Sequence, residues 1–259
     1  MSIVLAALDA THTAQSVLEV ALRVGEMTDS RVESVHVPTG HNRSLTLPTD
    51  HADVPLHLLS GPREPAVLSA IDAPDVLAAV IGAKAAADDP RLLGTTARYI
   101  VERSSKPVVI VPPKLVTPVA FRRLLIPLEG TEASSRPVLE RLLPLLATDV
   151  ELIVLHVFTE ATQPTMLDHP SRDLEIMGRE FLTRHLPRQE ASIELRPGPV
   201  GIRVAEVCDE HGADLIVLSW SQDSRAGRAR VVREVLGGAN LPILLLPLRG
   251  GRVGRDLSS

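Results

Sequence analysis

The sequence repeats itself about 120 residues along the chain, and this repeat limits the possible folds more than any other feature. The segments VLAALDATHTAQS (4–16) and FRRLLIPLEGTEAS (121–134) both run from apolar residues through an acidic turn to a polar helix start. Each copy is followed by an apolar segment that ends near a histidine, His36 in the first half and His156 in the second. We therefore expect two similar folding units in one chain.

Apolar and amphipathic segments alternate within each unit. In the first half, Val17, Val20, Ala21 and Val24 recur at helical spacing between two apolar segments. The full pattern predicts strands at 3–8, 31–37, 54–59, 76–81 and 107–111, and helices at 13–27, 64–71 and 91–103. Such alternation is typical of an α/β fold with a parallel sheet and helices on both faces.

The two units differ in one crossover. The turn Gly61-Pro62 matches Gly198-Pro199. This second turn lies later in the sequence than the repeat distance of about 120 residues would place it. The additional residues include an amphipathic segment at 171–187 that predicts a helix, whereas the corresponding stretch 38–53 predicts a loop. The predicted domains are 1–113 and 119–248, with a short linker near 112–118 and a tail at 249–259 that we expect to be disordered.

Composition limits the classes of function. Hydrophobic residues make up 44% of the 259 positions, which is enough for two buried cores. The net charge of -5 and an aromatic content of 2% argue against a nucleic acid ligand. No apolar run has the length of a membrane span, and the N-terminus lacks the pattern of a signal peptide. With Cys208 as the single cysteine, the sequence predicts a cytoplasmic protein without nucleic acid or membrane partners.

A glycine-containing loop follows the fourth strand of the first unit. The segment IGAKAAADDPRLLGTT (81–96) leads from an apolar run into an amphipathic one, so it connects a strand to a helix start. Backbone amides of such a loop and the positive end of the helix dipole can face an anion. Gly82 and Gly94 lack the side chains that would prevent close approach. The loop is therefore a candidate phosphate site, with a simple tight turn as the alternative.

Enzyme signatures are absent from the sequence. It contains no GxSxG, HExxH or GxxxxGK[ST] motif and no cysteine-rich metal framework. His36 and His156 lie at equivalent strand ends, without other ligand residues at metal-binding spacing, so we expect both to bond to the backbone near the sheet edge. The sequence predicts a protein that is not an enzyme, with no catalytic residue and no metal site.

The second half resembles the universal stress protein family through RLLIPLEGTEAS, ELIVLHV, GPVGIRVAEVCDEHGADLIVLS and LPILLLP, in family order. The resemblance, in a tandem two-domain form, covers nearly the whole chain. It implies a five-stranded parallel sheet in each half, in the order 3-2-1-4-5 with flanking helices. It also implies that the two halves pair through their last strands as a pseudo-dimer, and it is compatible with a homodimer of whole chains.

The resemblance further implies a nucleotide site in the first half. In nucleotide-binding members, glycines after the fourth strand hold the ATP phosphates, an Asp after the first strand contacts the ribose, and backbone after the second strand contacts the adenine. The positions that carry these roles here are Asp9 for ribose, Val37 for adenine, and Gly82, Ala85, Gly94, Thr95 and Thr96 for phosphate. The implied ligand is ATP or AMP. Asp9 has a second interpretation, as the N-cap of the first helix.

The glycine motif departs from the family pattern in both halves. Ala85 stands in place of a glycine, the loop is one residue short, and two acidic residues at 88–89 lie near the expected phosphate. In the second half, Ser219 replaces Gly82 and Ala229-Arg230 replaces the Gly-Thr pair. We therefore expect no family-type ATP site in the second half.

Two functions stay open at this point. The first is a non-enzymatic stress-response protein that binds ATP or AMP in its first half. The alternative is a nucleotide-independent scaffold or regulator that binds a protein partner or a small anion, with both loops vestigial. Four second-half arginines near a helix start suit such an anion: Arg225, Arg228, Arg230 and Arg233. Trp220, the only tryptophan, either fills the second cleft or covers the interface between the halves.

Overall fold

The computed structural model of the chain confirms the alternation of strands and helices in both halves. It describes residues 1–10, 13–38, 45, 47, 51–83, 93–115, 120–128, 132–147, 149–158, 176, 178, 180, 186, 191–221, 230–238 and 240–248. The described elements of the first half are β1 (Ile3–Ala7), α1 (Thr13–Thr28), β2 (Arg31–His36), β3 (Leu56–Leu58), α2 (Arg63–Ile71), β4 (Val76–Gly82), α3 (Thr95–Arg103) and β5 (Val108–Val111).

The second half follows the same order of elements. Its described elements are β6 (Arg123–Pro127), α4 (Glu132–Leu142) with a 3-10 turn (Leu143–Leu145), β7 (Glu151–Phe158), β8 (Ala191–Pro197), α5 (Val200–His211), β9 (Leu215–Trp220), α6 (Arg230–Gly238) and β10 (Ile243–Pro247). Most of the helix predicted at 171–187 lies outside the described residues, although 176, 178 and 180 are helical. The predicted tail at 249–259 also lies outside them.

All ten described strands form one sheet in the order β3-β2-β1-β4-β5-β10-β9-β6-β7-β8. Each half therefore has the predicted order 3-2-1-4-5, and neighbouring strands within each half run parallel. The halves meet where β5 and β10 pair antiparallel, with Ile110 opposite Ile243 and Val108 opposite Leu245. This confirms pairing through the last strands. The domain limits 1–113 and 119–248 stay predictions.

Helices cover both faces of the sheet, which explains why its central strands are apolar on both sides. Alternate residues of β1 enter different cores: Ile3 and Leu5 lie in the cluster under α2 and α3, whereas Val4 and Ala6 lie in the cluster under α1. Both clusters also contain residues of the second half, packed under α5 and α6 on one face and under α4 on the other. The hydrophobic cores are therefore continuous across the junction of the halves.

Trp220 lies at that junction. It is the last residue of β9, its side chain is buried, and its indole Nε1 donates a hydrogen bond of 2.9 Å to the backbone carbonyl of Val101 in α3. On the opposite face, the amide of Ala147 donates to the carbonyl of Met27 at the end of α1. These contacts agree with the hypothesis that Trp220 covers the interface between the halves.

Candidate functional site

A cavity of about 390 Å³ opens at the carboxyl ends of β1, β2 and β4 in the first half. Its lining includes six of the seven residues predicted from the sequence, namely Asp9, Val37, Gly82, Gly94, Thr95 and Thr96. The seventh, Ala85, lies outside the described residues, as do the acidic residues at 88–89. Residues from three separate segments of the sequence therefore meet in one cavity.

The strand order explains why these segments meet. β1 pairs with β2 on one side and with β4 on the other, so Ala7 lies opposite both Val35 and Ile81. After β1 the chain first builds the strands on one side of it and then crosses to β4 on the other side. A crevice forms at the carboxyl ends of the strands where the connections diverge in this way, and ligands of open α/β sheets bind there.

Asp9 lies on the cavity wall just after β1, where its side chain is partly buried. Its carboxylate Oδ1 accepts a hydrogen bond from the hydroxyl of Thr13, the first residue of α1, over a long 3.5 Å. The carboxylate therefore faces both the start of α1 and the cavity. This position is compatible with the ribose contact and with the helix-cap interpretation.

His36 forms part of the cavity wall and has a structural partner. Its imidazole Nδ1 donates to the backbone carbonyl of Leu8 over 2.9 Å, and the side chain is buried. In the second half, Nδ1 of His156 donates to the carbonyl of Leu128 over 3.0 Å. These bonds confirm the prediction that both histidines bond to the backbone. In each half the imidazole fixes the chain after the first strand.

The phosphate side of the predicted site lies at the start of α3. The pattern predicts a helix from residue 91, but α3 begins at Thr95, because Gly94 is its extended N-cap with φ -63° and ψ 166°. The amide of Gly94 donates to the carbonyl of Ala83 over 2.7 Å, which holds the start of α3 next to the end of β4. Thr95 and Thr96 follow in the first turn, next to the cavity. Helix amides at this position suit an anionic ligand.

Glu64 is a charged cavity residue that the sequence interpretation missed. It lies in the first turn of α2, is partly buried, and accepts a hydrogen bond from the Thr96 hydroxyl at its Oε1 over 3.0 Å. A signal was available, because all strand-to-helix turns of a parallel sheet lie at the same edge. The polar first turn after Gly61-Pro62 therefore had to lie beside the glycine loop.

The charges on the described cavity wall are mixed. Asp9 and Glu64 contribute carboxylates, and Arg63, the first residue of α2, contributes a guanidinium. Apolar side chains of α1, α2 and α3 form much of the remaining wall: Val17, Val67, Ala97 and Ile100. Such a cavity, with apolar side chains and several polar groups on its wall, is compatible with a site for a small organic molecule.

The second half does not reproduce these features in the residues described. Trp220 takes the position that Ala83 holds in the first half, and Ser219 takes that of Gly82. Residues 222–229, which include Arg225 and Arg228, lie outside the described part of the chain.

Within the described part of the chain, no three His, Cys, Asp or Glu side chains are grouped to hold a metal ion. Nor is any helix among the described residues long and apolar enough to cross a membrane.

Comparison with known proteins identifies the family. Residues 120–247 match the model of the Universal stress protein family. No curated protein matches the sequence.

Two solved structures are similar to the chain over nearly its whole length. A functionally unknown protein from Pseudomonas aeruginosa PAO1 is 13% identical and has a TM-score of 0.67, with 95% of this chain and 92% of that chain covered. A universal stress protein from Archaeoglobus fulgidus DSM 4304 is 15% identical and has a TM-score of 0.61, with 96% and 97% covered. At these identities the likeness shows the shared fold alone. Residues 120–247 therefore form a domain of the universal stress protein family, and this domain shares one sheet with a first unit of the same 3-2-1-4-5 strand order.

Proposed function

We propose that this protein is a cytoplasmic stress-response protein that binds an adenine nucleotide, ATP or AMP, in the cavity of its first half. The observation that carries the proposal is the meeting of Asp9, Val37, Gly82 and the start of α3 around one cavity of about 390 Å³. That volume lies within the range of small-molecule sites, roughly 300 to 1,000 Å³.

The chemistry of the wall suits the three parts of a nucleotide. The adenine would lie against the backbone at Val37 and the apolar side chains of the helices, and Asp9 would accept hydrogen bonds from the ribose hydroxyls. The phosphates would lie between Gly82 and the first turn of α3, and Ala85 lies between these two points in the sequence. There the helix dipole and the amides of the helix start favour negative charge.

The proposed role is binding without turnover. His36 uses Nδ1 to hold the Leu8 carbonyl, which suits a structural group better than a proton carrier. The hydroxyl of Thr96 is likewise directed at Glu64. We expect ATP incubated with the protein and Mg²⁺ to be recovered unchanged, as measured by chromatography of the nucleotides. ADP production that is lost in Gly94→Val would overturn this part of the proposal.

Two glycine-to-valine variants, one at the site and one as a control, test the binding site. Gly94→Val adds a branched side chain at the start of α3, where the phosphate would approach, and we expect it to weaken nucleotide binding at least tenfold in calorimetric titration. Gly238→Val is the matched control, because a Cβ at Gly238 meets no atom within 4 Å and the residue ends α6 in the second half. Equal binding by wild type and Gly94→Val would sink the proposed site.

A second candidate function is favoured by the junction of the halves. The buried indole of Trp220 occupies the position equivalent to Ala83, so the second unit uses this region for packing. If the first cavity is also without a nucleotide ligand, the protein is a scaffold or regulator that binds a protein partner or a small anion. Nucleotide at a hundred times its dissociation constant adds about 2.7 kcal/mol of stability. An unchanged melting temperature in millimolar ATP and AMP would therefore favour this second candidate.

A further inference from the structure

We infer that Glu64 makes the cavity select against phosphate charge, so that adenosine and AMP bind more tightly than ATP. This inference rests on the proposed adenine site and specifies which member of that ligand class it takes. Glu64 is a specificity-determining residue in this view, because its carboxylate lies where the phosphate chain would extend.

The position of the carboxylate follows from two helix starts. Glu64 is in the first turn of α2, and its Oε1 accepts the hydroxyl hydrogen of Thr96, in the first turn of α3, over 3.0 Å. Helices α2 and α3 pack against each other, with Val67 and Ile100 in the same buried cluster. Glu64 therefore lies at the point where the N-terminal ends of two helices converge.

That point is the most favourable one in the cavity for negative charge. Helix N-termini attract anions through their free amides and their dipoles. Here a carboxylate of the protein already uses this attraction, and the bond to Thr96 directs it toward α3. A phosphate at the start of α3 would approach a fixed negative charge, and the repulsion would increase with each further phosphate.

The other charged groups on the described wall do not reverse this balance. Asp9 adds a second carboxylate on the side of β1. Arg63 is exposed at the rim and is already engaged in a contact. Two carboxylates and one guanidinium leave the described wall with an excess of negative charge. Adenosine carries no charge to repel, AMP carries one phosphate, and ATP carries three.

The test is a titration of adenosine, AMP and ATP in the presence of a chelator, against wild type and Glu64→Gln. The glutamine keeps a side-chain oxygen for Thr96 and removes only the charge. We expect wild type to bind adenosine and AMP more tightly than ATP. In Glu64→Gln, ATP affinity should rise about tenfold, because the substitution removes the repulsion between the carboxylate and the phosphates. Adenosine affinity should change less than about twofold, because adenosine carries no charge.

Two further variants control for charge and folding. Glu102→Gln removes the same charge near the other end of α3, where Glu102 contacts Arg103, and it should leave all three affinities unchanged. Glu64→Asp keeps the charge and should retain the selection against ATP. Melting temperatures of all variants show whether each one is folded.

Three outcomes would overturn the inference. Wild type could bind ATP most tightly, or Glu64→Gln could leave the ratio of ATP to adenosine affinity unchanged. Thirdly, Mg²⁺ could strengthen ATP binding to wild type but not to Glu64→Gln, which would make the carboxylate a metal ligand for the nucleotide complex. If none of the three compounds binds wild type or any variant, the proposed function itself is wrong.

Discussion

At the scale of single residues, the two equivalent histidines show how a repeated side chain can be structural. In both halves Nδ1 donates to the carbonyl that follows the first strand, from His36 to Leu8 and from His156 to Leu128. A carbonyl only accepts hydrogen bonds, so the proton is on Nδ1 in each case. The repetition therefore reflects the construction of the turn after the first strand, which is the turn that positions Asp9.

Cys208 should be unreactive in the folded protein. Burial raises the pKa of its thiol to about 12, and the neighbouring Asp209 charge adds to the rise. Because the thiolate is the reactive form, an aromatic disulfide reagent at pH 8 should label the native protein far more slowly than the denatured protein. Labelling should accelerate only as the pH approaches 12 or the chain unfolds. Rapid stoichiometric labelling of folded protein at pH 8, absent in Cys208→Ala, would contradict this environment.

At the scale of elements, the same Gly-Pro turn starts the helix after the third strand of each unit. Gly61 and Gly198 have φ of 98° and 120°, values that side-chain-bearing residues rarely adopt, and the following prolines are the N-caps of α2 and α5. In the first half this turn fixes where α2 begins. It therefore fixes the position of Glu64 relative to α3.

Alanine at these glycines should destabilise the fold through backbone strain. Gly61→Ala should lower the free energy of unfolding by about 1 kcal/mol, because a Cβ there meets no atom within 4 Å and only the positive φ opposes it. Gly198→Ala should cost more, since its Cβ would lie 3.1 Å from Nε of Arg203, which bonds the Pro197 carbonyl. Urea unfolding followed by circular dichroism measures both changes. Gly238→Ala, in open space in α6, is the control and should not destabilise; equal losses in all three variants would exclude the strain argument.

The elements also show what the sequence could and could not predict. Hydrophobic periodicity placed the five strands of the first half, and the family resemblance implied the order 3-2-1-4-5 and the pairing of β5 with β10. The pair of Glu64 and Thr96 was not predicted, because the two residues are 32 positions apart and meet only through the packing of α2 on α3. The predicted start of α3 was also too early, because hydrophobic periodicity does not reveal that the backbone of Gly94 is extended.

At the scale of the whole molecule, the two units behave as one body. The sheet is continuous through β5 and β10, and each face has a hydrophobic core with residues from both halves. Trp220 of the second unit also bonds to Val101 of the first. Separating the units would expose apolar side chains and two strand edges together, and this cost should couple the unfolding of one unit to that of the other.

This coupling predicts a single unfolding transition for the intact chain. Trp220 is the only tryptophan and reports on the junction and the second unit, whereas circular dichroism reports on both units. In urea the two signals should give the same midpoint, because coincident transitions are expected of a cooperative unit. Gly61→Ala is located in the first unit, far from the indole in sequence, and it should lower the fluorescence midpoint by the same amount as the circular dichroism midpoint. A fluorescence midpoint that stays at the wild-type value while the circular dichroism curve splits into two steps would mean that the units unfold independently, despite the shared sheet.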